Sequence, residues 1–115
     1  MIKPFAIALA GILGASGVAA AAAASHAGAQ LMQSYSLVAL THAPALLALA
    51  LIALPRVFTV ALLTLSAGTI LFCADIAVRY GFGHALFPMS APIGGMLMIA
   101  GWLILGFGAL AIARR

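Results

Sequence analysis

The side chains in this chain that could do chemistry are few. Asp75 is the single acidic residue, and Arg79 follows it four positions later. His42 lies inside an apolar stretch, and His26 stands just after another one. Ionisable side chains in apolar segments often mark a binding or proton-transfer site. We therefore treat His26, His42, Asp75 and Arg79 as a possible polar cluster that could hold a proton, a quinone headgroup or a lipid headgroup.

A structural interpretation of the same residues competes with the functional one. Asp75 and Arg79 are four residues apart, so on one helix they can pair with each other. A histidine such as His42 is more often hydrogen-bonded between helices than a ligand, and no second histidine or carboxylate stands at metal-binding spacing beside it. We therefore expect no metal site and no cofactor.

Enzymatic chemistry is not indicated by the sequence. It contains no pair of carboxylates, no phosphate-binding loop and no nucleophile beside a base. Cys73 is the only cysteine, and no basic residue close to it in sequence would activate its thiol. We therefore predict no catalytic residues.

The composition indicates which elements must position these groups. Hydrophobic residues make up 67% of the 115 residues and charged residues only 5%, about a fifth of the charge of an ordinary soluble domain. Four apolar runs are each long enough to cross a hydrocarbon core of ~30 Å. None alternates with polar residues, as a membrane strand would. We predict an all-α membrane protein, a single four-helix transmembrane domain over residues 1–115 with short loops. The expected spans are 5–24, 35–54, 57–78 and 92–113.

The first apolar run has a second interpretation. Lys3 precedes it and the small residues Ala22–Ala24 close it, which is the layout of a cleavable signal peptide. We expect the run to be retained as the first span.

The positive charges predict an orientation rather than a nucleic-acid partner. Five scattered cations without interleaved aromatic residues do not make a phosphate-binding face. With four spans, four of the five cations lie on the side of both termini. Because cytoplasmic loops carry an excess of Lys and Arg, we predict a multi-pass protein of the bacterial inner membrane with both termini cytoplasmic. The cations on the terminal side are Lys3, Arg56, Arg114 and Arg115, and Arg79 lies opposite.

Small residues predict where the helices pack, because in lipid they allow close backbone approach. Trp102 lies too deep for the interfacial belt, so we expect it to pack against another helix. We predict that the last helix begins within a residue or two of Pro92, with Ser90 or Ala91 as its cap. Its glycine stripe should face the first span. The packing glycines are Gly11, Gly14 and Gly17 in the first span and Gly94, Gly101 and Gly108 in the last.

Several blocks of sequence carry a resemblance to a known family. They are APIGGMLMIAGW at 91–102, GTILF from Gly68, THAPALL around His42, and the Gly- and Ala-rich first run that ends near His26. Together they resemble the bacterial and mitochondrial membrane family known as domain of unknown function 423. The resemblance covers essentially the whole chain. It implies a small four-helix inner-membrane protein and no agreed biochemical activity.

The chain departs from that family's pattern in two places. Where the family usually has serine-glycine-serine after Phe72, this chain has Cys73-Ala74-Asp75. Pro44 also stands two residues after His42, where it should bend the second helix.

These observations favour a non-catalytic membrane protein that works through helix contacts. We expect an accessory or stabilising subunit of a larger inner-membrane complex, such as a respiratory one. Its partners would then be membrane lipids and other integral membrane subunits, or a second copy of itself. The alternative is a binder or carrier of a quinone, lipid or proton that uses the possible polar cluster.

Overall fold

The computed structural model describes residues 2–27, 29–52 and 55–115. All regular secondary structure in these ranges is helical. The helices are α1 (Ile2–Ala27), α2 (Gln30–Leu51), α3 (Arg56–Phe82) and α4 (Ser90–Ala113). Each contains a span of 22 to 27 residues that is apolar enough to cross a membrane, where about 20 residues suffice. The predicted all-α, four-helix membrane fold is therefore confirmed.

Consecutive helices pack against each other: α1 on α2, α2 on α3, and α3 on α4. The short connections make each neighbouring pair antiparallel, and the bundle measures 51 × 27 × 23 Å. The bundle thus has two ends. The termini end carries the start of α1, the end of α2, the start of α3 and the end of α4. The loop end carries the end of α1, the start of α2, the end of α3, the loop of residues 83–89 and the start of α4.

The helices extend further at the loop end than the apolar runs do. Most of residues 25–34, which separate the first two expected spans, is helical, and α3 continues past Val78 to Phe82. Ser25 does not interrupt the helix, and its hydroxyl is satisfied within it, because it donates to the Ala21 carbonyl at 3.0 Å. The predicted end of the second span, residue 54, lies outside the described residues.

The start of α4 differs from the prediction in its cap. The helix begins at Ser90, two residues before Pro92, and the capping position is Met89 with φ 68°. The predicted caps, Ser90 and Ala91, are instead the first two helical residues. The first helical hydrogen bond runs from the Ile93 N–H to the Met89 carbonyl at 3.0 Å. Pro92 is tolerated because a first-turn residue needs no N–H partner.

Pro44 lies inside α2, which continues through it to Leu51. Proline has no N–H, so the carbonyl of Leu40 loses its usual helical donor. Ala43 and Leu46 on either side of Pro44 are buried. The helix therefore keeps its packing on both sides of Pro44, although one helical hydrogen bond is missing.

A close helix crossing joins α3 to α4 at two glycines. A Cβ added to Gly94 would lie 2.8 Å from the backbone nitrogen of Phe72, and one added to Gly68 would lie 2.8 Å from the carbonyl oxygen of Gly94. Real Cβ atoms do not come this close to backbone atoms, so both positions require glycine. Gly68 was not among the predicted packing residues.

The other two glycines of the α4 stripe also face α3. A Cβ on Gly101 would lie 2.7 Å from Cγ of Leu65, and a Cβ on Gly108 would lie 2.8 Å from Cγ2 of Val57. The prediction that the first span is their partner is therefore wrong. The short 83–89 loop makes α4 run back along α3. The small residue that allows close approach is Gly68 on α3, whereas the prediction assigned this role to the glycines of α1.

The glycines of α1 do not form a packing stripe. A Cβ on Gly17 would lie 2.8 Å from Cγ of Leu40, so this glycine does contact α2. At Gly11 and Gly14, an added Cβ would have no described atom of another helix within 4 Å. Leu13 and Ala20 are instead among the buried residues on the inward face of α1.

Candidate functional site

Asp75 is the centre of a hydrogen-bonded network at the loop end. Its side chain has 0% exposure. Oδ2 accepts from Nε of Arg79 at 2.6 Å. Oδ1 accepts from the Leu86 N–H at 2.9 Å and from the hydroxyl of Ser90. One carboxylate therefore ties α3 to the 83–89 loop and to the first residue of α4.

The charge of this buried carboxylate is balanced within the same helix. Arg79 lies one turn after Asp75, which is the spacing at which helical side chains meet. Its side chain is 39% exposed, so the guanidinium reaches from the buried carboxylate toward the surface. A buried carboxylate is very unfavourable unless it is paired and hydrogen-bonded. The arrangement meets both conditions, as a structural ion pair would.

The hydroxyl of Ser90 completes the network. Besides Asp75, it has the Phe87 carbonyl within 2.8 Å and the Phe87 N–H at 3.4 Å. Because a hydroxyl has one proton, it donates to either the carboxylate or that carbonyl at a given moment. Ser90 has 0% exposure, and its role is to join the 83–89 loop to Asp75.

The 83–89 loop has a left-handed residue at each end. Gly83 ends α3 with φ 77°, and its N–H donates to the Arg79 carbonyl at 2.9 Å. Met89 has φ 68°, a conformation that is uncommon for a residue with a side chain. His84 is exposed in this loop, and its Nδ1 lies 2.8 Å from the Ala85 carbonyl. The loop is thus a defined connection that places the Leu86 N–H over Asp75.

A second polar contact joins α2 to α4. Nε1 of Trp102 lies 3.1 Å from Nε2 of His42. The two rings pack edge to face, with 5.8 Å between their centroids. Since an indole nitrogen can only donate, Nε2 of His42 must accept. The imidazole proton then lies on Nδ1 and donates to the Val38 carbonyl at 2.9 Å. Both ring nitrogens of this buried histidine are therefore occupied.

A third contact joins α1 to α2. The Tyr35 hydroxyl donates to the Ser16 hydroxyl at 2.8 Å, and the Ser16 hydroxyl donates to the Leu13 carbonyl at 3.4 Å. Sequence reasoning did not identify this pair. The one available signal was a serine among the small residues of α1, which does not indicate its partner on another helix.

The structure distributes the four residues of the possible polar cluster over three places. Asp75 and Arg79 form an ion pair, and His42 bonds to Trp102. His26 is exposed in the last turn of α1, where a basic side chain complements the helix dipole. Among the described residues no hydrogen bond links a histidine to Asp75. Within the same ranges, no group of three or more His, Cys or Asp side chains could hold a metal ion.

Two large grooves lie at the termini end, away from these polar contacts. One, of about 460 Å³, lies beside Lys3, Leu49 and Thr59. The other, of about 450 Å³, lies between the start of α3 and the end of α4 and includes Arg56 and Arg115. Neither groove is lined by Asp75 or the histidines.

Comparison with known proteins identifies one family. The model of the family described as "Protein of unknown function (DUF423)" matches residues 10–95, from the first half of α1 to the first turns of α4. No curated protein and no solved structure matches the chain. The matched segment includes the α2 histidine, the buried carboxylate network and the glycine crossing of α3 with α4. Because the match extends over most of its length, this chain belongs to the DUF423 family of proteins of unknown function.

Proposed function

We propose that this protein is a non-catalytic accessory or stabilising subunit of a larger inner-membrane complex. It would bind a transmembrane helix of another subunit on the face of α4 that points away from α3. We call this surface the outer face of α4. It consists of Gly95, Trp102, Leu103, Gly106, Phe107 and Leu110.

The observation that carries the proposal is the exposure of α4. This helix has the highest mean hydropathy of the four, 2.2. Even so, only 17% of its 18-residue apolar stretch is buried within the chain, whereas 33–39% of the corresponding stretch is buried in the other three helices. In lipid, apolar exposure alone is ordinary, because lipid tails are as apolar as leucine. What distinguishes α4 is therefore the kind of residue that it exposes.

The outer face of α4 combines open glycines with large aromatic side chains. At Gly95 and Gly106, an added Cβ would have no described atom of another helix within 4 Å. Trp102 is 42% exposed and Phe107 is 67% exposed, and the surface forms a shallow groove of about 220 Å³ near Gly106. Glycine lowers helix stability by about 1 kcal/mol relative to alanine in water. A partner backbone that approaches closely would offset this cost.

The polar contacts support a non-catalytic role. Over the described ranges, no buried side-chain nitrogen or oxygen lacks a hydrogen-bond partner. Asp75 and His42, the groups best suited to chemistry, both bind neighbouring helices or the loop. Such groups stabilise a bundle and leave no pre-arranged reactive atom.

The alternative, a carrier of a quinone, lipid or proton at the polar cluster, has less support. Asp75 and Arg79 already neutralise each other, and Trp102 occupies the free nitrogen of His42. A ligand at either of these two places would have to displace the contacts there. Bound ligand in the purified protein, together with its loss in Asp75→Asn, would favour the carrier.

The charge distribution supports a membrane orientation with both termini in the cytoplasm. Lys3, Arg56, Arg114 and Arg115 all lie at the termini end, and the one cation toward the loop end, Arg79, is neutralised by Asp75. The positive-inside rule places the richer end in the cytoplasm.

Blue-native electrophoresis of mildly solubilised membranes tests the proposal. The tagged chain should migrate with a larger complex, and activity staining of the same gel would show whether that complex is respiratory. Gly106→Leu should release the chain, because leucine fills the outer face of α4. Gly11→Leu is the matched control, since Gly11 is an open glycine on α1. Migration of the wild-type chain only as a monomer, or equal release by both variants, would count against the proposal.

A further inference from the structure

We infer that the groove between the start of α3 and the end of α4 binds the headgroup of an anionic phospholipid. We call it the α3–α4 groove. The residues that carry the inference are Arg56, Val57, Gly108, Ile112 and Arg115. This site lies at the opposite end of the bundle from the Asp75 network and does not depend on the proposed partner.

The groove exists because the two helices meet closely at one point and leave space around it. Gly108 has no side chain, and Val57 lies directly against it. The resulting volume is about 450 Å³, within the ~300–1,000 Å³ of typical small-molecule sites. It is large enough for a phosphate-containing headgroup.

The rim of the groove carries positive charge that nothing in the described chain neutralises. Arg56 and Arg115 are both exposed. Over the described ranges, the one ion pair joins Arg79 to Asp75, and Asp75 is the only acidic residue of the sequence. The planar guanidinium groups match the oxygens of a phosphate and can bind them in pairs.

The floor of the groove favours a lipid over free phosphate. Val57, Ala111 and Ile112 line it with apolar side chains, and Gly108 adds bare backbone. The groove also lies where two membrane spans end, the depth at which lipid headgroups lie. Basic pockets between transmembrane helices at this depth suit anionic headgroups. Acyl chains can then continue along the apolar faces of α3 and α4.

The other groove at the termini end provides a comparison. It is of similar size, about 460 Å³, but its one cation is Lys3. A lysine ammonium is a strongly hydrated point charge without the paired geometry of arginine. The inference is therefore confined to the α3–α4 groove.

Native mass spectrometry of the full chain in micelles containing phosphatidylglycerol tests the inference. Arg56→Gln and Arg115→Gln should each weaken retention of phosphatidylglycerol about fivefold, the effect of one basic residue near an anionic surface. Arg114→Gln is the matched control, because it removes the same charge from a neighbouring residue that does not line the groove. It should leave retention unchanged.

Two further measurements test whether the groove prefers an anionic lipid and whether free phosphate can replace it. Phosphatidylcholine should be retained less than phosphatidylglycerol, and inorganic phosphate at equal concentration should not displace the lipid. Thermal unfolding of each variant verifies that it is folded, and Arg115→Gln, at an exposed terminal position, provides a second test should Arg56→Gln unfold. Equal weakening by all three variants, equal retention of phosphatidylcholine, or displacement by inorganic phosphate would overturn the inference.

Discussion

The indole N–H of Trp102 donates to Nε2 of His42, with 3.1 Å between the two nitrogens. This contact joins α4 to α2 over 60 residues of sequence. It fixes the neutral tautomer of His42, whose Nδ1–H donates to Val38. The contact therefore links the α1–α2 pair to the α3–α4 pair at a position where a histidine could otherwise have bound a ligand.

A double-mutant cycle on Trp102 and His42 measures this link. Trp102→Phe keeps a ring but removes the donor, and His42→Leu removes the acceptor. The two changes should be coupled by about 0.6 kcal/mol, the average for hydrogen bonds between membrane helices, and by no more than about 1.7 kcal/mol, the largest such value. Unfolding in mixed micelles gives the four free energies. A coupling near zero would show that the hydrogen bond does not stabilise the bundle.

Gly94 and Gly95 allow a matched test of the α3–α4 crossing. Gly94→Ala should destabilise the bundle by about 2 kcal/mol, because the new Cβ would overlap the backbone of Phe72. Gly95→Ala should be neutral or stabilising, because the new Cβ meets no described atom of another helix and alanine favours the helix. Thermal unfolding of the two variants in one detergent compares them. Equal stabilities would contradict the crossing.

The lengths of the apolar runs predicted the four helices because crossing a membrane needs about 20 apolar residues whatever their order. Helix partners were harder to predict. The spacing of Gly94, Gly101 and Gly108 indicated a packing stripe but not the helix it contacts, and Gly68 on α3 is not part of a glycine repeat that would have marked it. A periodic pattern identifies one side of a contact, whereas the other side depends on the whole bundle.

Loss of the carboxylate at Asp75 should destabilise the loop end. Asp75→Ala leaves the Leu86 N–H and the buried Ser90 hydroxyl without the acceptor that joins them to α3. The free energy of unfolding should fall by about 2 kcal/mol, the cost of leaving hydrogen-bond donors without a partner, and a protease added to the micelles should cleave the 83–89 loop faster. Arg79→Lys, which keeps a positive charge one turn after Asp75, serves as the milder comparison. Unchanged stability and unchanged cleavage of Asp75→Ala would contradict the structural role of the network.

The Asp75 network illustrates what sequence spacing can and cannot predict at a site. The pair of Asp75 with Arg79 was predictable because residues four apart on a helix are neighbours. The bonds to Leu86 and Ser90 were not, because they depend on the path of the 83–89 loop. Ser90 was interpreted as a helix cap for the same reason. A serine near the start of a helix is a typical cap, and the local sequence does not show that its hydroxyl bonds to a residue on another helix.

Reporter fusions test the proposed orientation. An alkaline phosphatase domain, which is active only outside the cytoplasm, should be inactive after Arg115 and active when inserted at His84 in the 83–89 loop. The physical reason is that Lys3, Arg56, Arg114 and Arg115 hold the termini end on the cytoplasmic side. An active C-terminal fusion with an inactive loop fusion would reverse the orientation.

Site-specific photo-crosslinking in native membranes tests the central claim, that the outer face of α4 binds a helix of another subunit. A photoreactive residue at Phe107 is compared with one at Val18 on α1, because the two side chains are similarly exposed, at 67% and 63%. We expect a protein adduct from position 107 whose mass differs from that of a dimer of the 11.6 kDa chain, and lipid adducts alone from position 18. Lipid adducts alone from both positions, or a homodimer as the one protein adduct, would contradict it.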